Sequence, residues 1–224
     1  MPETKVIING ANGKMGATAV AAIANEKDLV LVAKTTRNDD LVNAIKKNHA
    51  DVVIDFTEPS TVFQNTKTII ESGARPVIGT TGLSEKEIQE LEILCKDKKR
   101  GAIIAPNFSI GAILMMRYAQ DAAKYFSSVE IIEYHHPAKK DAPSGTAKKT
   151  ASLIQGSEKK SIPIHSVRLP GIFAEQQVIF GGMGETFMIQ DRSTDRNAMM
   201  PGLFLCCRKV ILLNHLVYGM ESLL

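Results

Sequence analysis

Two adjacent histidines, His135 and His136, head a run of side chains suited to holding charge and moving protons. The run is Glu133-Tyr134-His135-His136-Pro137-Ala138-Lys139-Lys140-Asp141-Ala142-Pro143-Ser144-Gly145-Thr146-Ala147. An imidazole exchanges its proton near neutral pH and the neighbouring lysines gather positive charge, so the run can supply a proton and hold an anion. Ser144-Gly145-Thr146 follows a proline at an expected helix start, where backbone N–H groups and hydroxyls can hold a carboxylate. A small molecule carrying more than one carboxylate suits these groups. The same residues also fit a solvated basic loop that caps a helix. No metal is expected, because adjacent histidines leave a strand in different directions and no cysteine or spaced third ligand accompanies them.

A second constellation lies near residue 10. Gly10-Ala11-Asn12-Gly13-Lys14-Met15-Gly16 sits between an apolar strand and an alanine-rich helix read as Ala17 to Asn25. The spacing GxxGxxG is a variant of the dinucleotide fingerprint, and its strand–helix context gives it weight that the bare pattern lacks. Gly10 allows the tight turn, Gly13 lets backbone N–H groups approach a diphosphate, and Gly16 lets the helix lie close; the helix N-terminus adds partial positive charge. Where an Asp or Glu would hold the ribose 2′-OH of NADH, the chain has Thr35-Thr36-Arg37, with Asp39 and Asp40 slightly beyond. Arg37 could accommodate the 2′-phosphate of NADPH or simply be exposed, so use of both NADH and NADPH is expected. Gly79-Thr80-Thr81-Gly82 and Ala105-Pro106-Asn107-Phe108 follow later strands on the same side, and either could wall the nicotinamide or be an ordinary loop.

The elements that must position these groups follow from the apolar rhythm. Short strands are expected at Val6–Ile8, Leu29–Ala33, Val52–Ile54, Val77–Ile78 and Ala102–Ala105. The helices between them are punctuated by Ser60 after Pro59, with an end at Gly73, and by a Ser84/Glu87 capping box. Such strand–helix alternation implies a parallel sheet with helices on both faces, an α/β Rossmann-type domain. After Pro106 the rhythm changes to a helix from Ile110 to about Tyr125, a strand at Val129–Tyr134 and a helix from Ser144 to Ile154. Strands at Ser166–Leu169, Gln177–Phe180 and Glu185–Gln190 follow, and the Gly-rich turn at 181–184 points to a mostly antiparallel sheet. The tail reads as a helix from Pro201 through Leu216 that returns to the first domain. The expected division is 1–106 with 198–224 for the dinucleotide, and 107–197 as a smaller α+β substrate and oligomerisation domain.

Bulk composition limits the alternatives. In 224 residues, 44% are hydrophobic and 23% charged, enough apolar content to bury a core. A net charge of +3 with interspersed signs makes no nucleic-acid stripe, and the pair Lys159/Lys160 reads as a solvated loop. Three cysteines, Cys95, Cys206 and Cys207, make a poor disulfide framework and suggest reduced thiols. No apolar run reaches the roughly 18 residues of a membrane helix, and the early glycine loop leaves no room for a signal peptide, so a cytoplasmic protein is expected.

The stretch Glu-Tyr-His-His-x-x-Lys-x-Asp-Ala-Pro-Ser-Gly-Thr-Ala resembles the signature of the dihydrodipicolinate reductase family of diaminopimelate and lysine biosynthesis. Gly10 to Gly16, Asp55-Phe-Thr57, Gly79 to Gly82, Pro106-Asn-Phe-Ser109, Arg168-Leu-Pro-Gly171, Val178 to Gly182 and Asp195-Arg196 resemble family segments in the same order. The resemblance implies His135 as acid/base group and Lys139 as partner proton donor, with His136, Gly145 and Thr146 contacting substrate. It implies that Gly10 to Met15, Gly79 to Thr81 and Ala105 to Phe108 line the cofactor, and that the chain forms a homotetramer through its second sheet. The implied reaction is hydride transfer to C4 of a cyclic dicarboxylic imine. Many relatives carry Ala-His-Gln where this chain has Ala174-Glu175-Gln176, and the loop from Gln155 to Pro163 is short. From the residues alone, a reductase of another small dicarboxylate and a non-catalytic nucleotide sensor also remain open.

Overall fold

The computed structural model describes residues 3–156 and 161–224; the expected loop at Lys159 and Lys160 lies outside the described residues. The chain divides into two compact units, one of residues 1–108 with 199–224 and one of residues 109–198.

In the first unit, β1 (Thr4–Asn9), α1 (Lys14–Ile23), β2 (Leu29–Thr35), α2 (Leu41–Asn48), β3 (Val52–Asp55), α3 (Val62–Glu71), β4 (Arg75–Ile78), α4 (Glu85–Lys98) and β5 (Ala102–Ile104) alternate along the chain. Beyond the second unit's α5 (Ile110–Ala122), β6 (Ser128–His135), α6 (Gly145–Gln155), β7 (Ile164–Arg168), β8 (Ala174–Gly182) and β9 (Glu185–Ser193), the first unit is completed by α7 (Met200–Val210) and β10 (Leu216–Tyr218).

The first sheet has six strands in the order β10-β5-β4-β3-β1-β2, every pair parallel. Its strands are apolar without alternation because both faces are covered. Ile7, Val53, Ile78 and Ile104 share one cluster with Ile45 of α2, Ile69 and Ile70 of α3, and Leu91 and Cys95 of α4. Their strand neighbours Val6, Ile8, Val52, Ile54, Val77 and Ile103 are equally buried and point to the opposite face. There α1 and α7 pack, bringing Leu203, Phe204 and Cys207 into the core. Arg208 of α7 holds the turn before β2, its guanidinium pairing Asp28 at 2.7 Å and also Glu26. Cys95, Cys206 and Cys207 are buried and unbridged, and burial pushes the Cys95 and Cys206 thiols up to about 12.

Several boundaries differ from those the sequence suggests. The C-terminal helix stops at Val210 and does not run to Leu216; Leu216–Tyr218 instead forms β10, with Leu216 opposite Ala102. The apolar run is continuous enough to read as helix, but Gly101 is pressed against Val210 and Leu213, and the three-residue β5 gains an edge partner. Ser60 does not cap α3. Thr61 occupies that position without a side-chain cap bond, and its hydroxyl bonds Thr57 and Glu58 instead. Helix α1 starts at Lys14 with Gly13 as its N-cap, so Gly16 lies inside the first turn. The Ser84/Glu87 capping box is present.

The second sheet runs β7-β6-β8-β9, with β6–β7 parallel and the other pairs antiparallel. Helices α5 and α6 cover one face, over Ile131, Glu133, Gln176, Val178 and Phe180. The alternate side chains, among them Ile132, Tyr134, Glu175, Gln177 and Ile179, point the other way. Helix α5 ends at Ala122, three residues short of the expected Tyr125, which is exposed.

Among the described residues no helix is long and apolar enough to cross a membrane, and no cluster of His, Cys, Asp or Glu could hold a metal ion.

Candidate active site

In the first unit, Gly10 turns the chain at the end of β1 with φ +79°, and a Cβ there would run into the Phe56 carbonyl. A Cβ on Gly16 would strike the Gly10 carbonyl, which is why α1 can begin directly under the turn. Gly13 caps α1 with extended geometry and no side-chain cap bond, leaving its first-turn N–H groups for a ligand.

A cleft of about 440 Å³ opens above this turn, lined by Gly10, Asn12, Gly13, Thr36, Arg37 and Phe56 with their neighbours. A glycine turn whose side chains are excluded by backbone, joined to an uncapped helix start and a cation at the end of β2, fits a dinucleotide. Of the other expected cofactor residues, Ala11 is buried, and Lys14 and Met15 form the first turn of α1. Arg37 stands 3.6 Å from Glu58, and both are largely exposed. The Asp39 carboxylate is turned back to accept from the Thr36 backbone and hydroxyl at 2.8 Å.

The Gly79 to Thr81 and Ala105 to Phe108 segments follow β4 and β5, and Phe108 meets the Phe56 ring edge-on at 6.0 Å. Gly79 leaves room for both rings. The Thr80 hydroxyl, expected as a ligand donor, donates to Asp55 at 2.9 Å. Asp55, fully buried at the end of β3, also accepts from Asn9, Asn65 and the Thr57 backbone and hydroxyl. It ties the C-terminal ends of β1, β3 and β4 together. Phe56, Glu58 and Asp55 escaped the sequence reading as site residues, although their place after a strand end is the signal that singled out the neighbouring loops.

In the second unit, β6 delivers His135 at its last residue. His135 Nδ1 is bonded to Glu133 Oε2, two residues back on the same face. Glu133 is fully buried and receives both Arg168 guanidinium nitrogens, at 2.9 Å and 2.8 Å, and the Ser144 N–H at 3.3 Å. Burial alone would raise this carboxyl, but bonds from Arg168, Ser166 and His135 outweigh it and hold it at about 2. Burial lowers His135 below the ordinary imidazole value; Glu133 opposes that shift, while Lys139 and Arg168 add to it.

Lys139 is half-buried and donates to Asp141 at 2.8 Å, so one lysine of the basic run is already partly neutralised. Ser144 caps α6 by accepting from the Ala147 N–H at 3.1 Å, and Gly145 and Thr146 form the first turn with nothing crowding Gly145. His136 packs on Phe173, with Arg196 over the same ring at 5.4 Å. Phe173 and Arg168 were not picked out as site residues: the bond to Glu133 spans 35 positions, and no local spacing carries it. Glu175 lies on the opposite sheet face, accepting from Gln177 and Gln190 and standing 3.6 Å from Arg192.

A parallel sheet with a glycine turn and cleft, followed by a unit with a mixed sheet that brings His135 and Lys139 together near a helix start, defines a nicotinamide-dinucleotide-dependent oxidoreductase. The family model "Dihydrodipicolinate reductase, N-terminus" matches residues 4–108, and "Dihydrodipicolinate reductase, C-terminus" matches residues 111–224. The chain belongs to the dihydrodipicolinate reductase family. It is 56% identical to a 4-hydroxy-tetrahydrodipicolinate reductase of Coxiella burnetii across 98% of each chain, and 50% identical to one of Legionella pneumophila across 99% of each. The dipicolinate-bound dihydrodipicolinate reductase from Paenisporosarcina sp. TG-14 superposes with a TM-score of 0.89 at 38% identity, covering 99% of this chain and 100% of that one.

Proposed function

We propose that this chain reduces the dihydrodipicolinate-type cyclic imine derived from 4-hydroxy-tetrahydrodipicolinate to tetrahydrodipicolinate, on the diaminopimelate route to lysine. The observation that carries this reading is His135, whose Nδ1 is engaged by Glu133 while Nε2 is left for a ligand, in the same loop system as Lys139 and the α6 N-terminus. NADH or NADPH, held at Gly10 to Met15, Arg37, Gly79 to Thr81 and Ala105 to Phe108, supplies the hydride when bound. His135 delivers a proton from Nε2 to the carbon next to the one reduced, and Lys139 acts as its partner donor. His136 and the N–H groups of Gly145 and Thr146 hold the substrate carboxylates, drawing electron density from the ring as the hydride arrives.

A division of labour, with 1–106 and 198–224 for the dinucleotide and 107–197 for substrate and assembly, belongs to the same reading. A homotetramer joined through the second sheet is supported by the helix-free face that presents Ile132, Tyr134, Ile179 and the exposed Met188. On that face Glu175 would enter the interface. A cytoplasmic location is supported by the three unbridged thiols.

Arg37→Ala is expected to weaken NADPH binding about fivefold, the ~1 kcal/mol of an exposed ion pair. NADH binding should stay the same. Calorimetric titration with each cofactor separates the two, and equal effects would remove Arg37 from the 2′-phosphate site. The activity itself is tested by generating substrate in situ from pyruvate and aspartate semialdehyde with the preceding synthase, then following NADH and NADPH absorbance separately. Oxidation of neither cofactor would refute the assignment.

A further inference from the structure

Glu133 does more than sit beside His135. Its Oε2 faces His135 Nδ1, its Oε1 accepts the Ser144 N–H at the entry to α6, and both oxygens are gripped by Arg168. Arg168 in turn donates to the Asp141 carbonyl at 2.7 Å, in the loop between Lys139 and α6. One buried carboxylate therefore touches the imidazole, the loop through its guanidinium partner, and the helix start. We propose that Glu133, clamped by Arg168, is a positioning residue that fixes His135 as the Nδ1–H form with Nε2 presented outward, and keeps the proton donor in register with the N-terminus of α6. The inference rests on His135 being the proton donor of the reaction proposed above.

The physical reason is that an ionised carboxylate only accepts hydrogen bonds, so the nitrogen facing it must carry the hydrogen. The neutral ring then keeps its lone pair on Nε2, and uptake of a proton there gives the imidazolium that serves as acid. After the proton leaves Nε2 the ring returns to the Nδ1–H form, still held by Glu133, and is recharged by a proton from water. The charged groups around His135 are Glu133 on β6, Lys139 and Asp141 in the following loop and Arg168 on β7; its partner on β8, Ala174, carries none. Glu133 is thus the attractive charge nearest the ring, and Arg168 both holds that carboxylate and repels the imidazolium.

Two opposite shifts follow. In Glu133→Gln the basic limb of the kcat pH profile should move about one unit lower, because an opposing charge within bonding distance is gone. Its kcat should fall by about 10²-fold, the lower end of the range for a general acid, with the Kd for NADH unchanged. In Arg168→Met the limb should move the other way, since the repelling cation is removed while the carboxylate stays. A purely structural role would shift neither limb, or would move both alike. Long-range nitrogen–proton spectra of histidine-labelled wild-type protein, assigned with His135→Gln, test the tautomer directly and need neither an active enzyme nor a folded Glu133 variant. An Nδ1–H signature for neutral His135 supports the proposal. An Nε2–H signature, or unmoved limbs in both variants, overturns it. Lack of turnover in the synthase-coupled assay with the Nδ1–H signature intact would refute the reaction and leave the positioning role standing.

Discussion

His135→Gln is expected to lower kcat by about 10²- to 10⁴-fold, the contribution of a positioned general acid, while the Kd for NADH or NADPH stays within twofold of the parent. Glutamine has a similar reach and can still meet Glu133, so the loop should keep its shape; what is lost is the exchangeable proton near neutral pH. The parent's pH profile should carry the same signature. Activity that needs imidazolium is present below the His135 pKa and lost as pH rises through it. Burial has set that value below the ordinary one in the free protein. A bound dicarboxylate raises it again by placing negative charge beside the ring. The basic limb of kcat should therefore lie at higher pH than that of kcat/KM, because the first reports the complex and the second the free enzyme. Steady-state kinetics across pH 5–9 would check both points; a His135→Gln enzyme with normal turnover would remove His135 from the reaction.

The other large effect is expected at Gly10→Ala. The backbone there has φ +79°, and the added methyl would collide with the Phe56 carbonyl and the Phe56–Thr57 peptide. A strained residue of this kind costs about 1–3 kcal/mol before any collision is counted. The turn cannot relax toward β3 without disturbing Phe56, which lines the cleft and touches Phe108. We expect a lower Tm together with at least a tenfold rise in Kd for both cofactors, about 1.4 kcal/mol or more. Calorimetry and thermal melts would show it; unchanged affinity would mean that the turn does not shape the binding site.

Much of the architecture could be read from residues because its signals are local. The glycine turn lies between an apolar strand and an alanine-rich helix, and Ser84 and Glu87 cap each other within one turn. The His135 run sits at a strand end and a helix start, so its neighbours in sequence are neighbours in space. What escaped was set by distant contacts. Arg168 reaches Glu133 from another strand, and Asp55 gathers side chains from positions 9, 57, 65 and 80. Leu216–Tyr218 is a strand only because β5 offers it an edge, and the apolar run alone cannot separate that outcome from more helix. The ion pair of Lys139 with Asp141 was also not legible, because spacing does not tell which way Asp141 turns.

The pairing of β10 with β5 also orders events during synthesis. Residues 102–104 are made more than a hundred positions before their partners at 216–218, so β5 must wait as an open edge while the intervening polypeptide emerges. All of the second unit is encoded within that interval as one contiguous segment and has its own buried face. It can condense first, since domains tend to fold as units while the chain is being made. The nucleotide-side sheet is then sealed late, by three residues made only after the whole of the second unit.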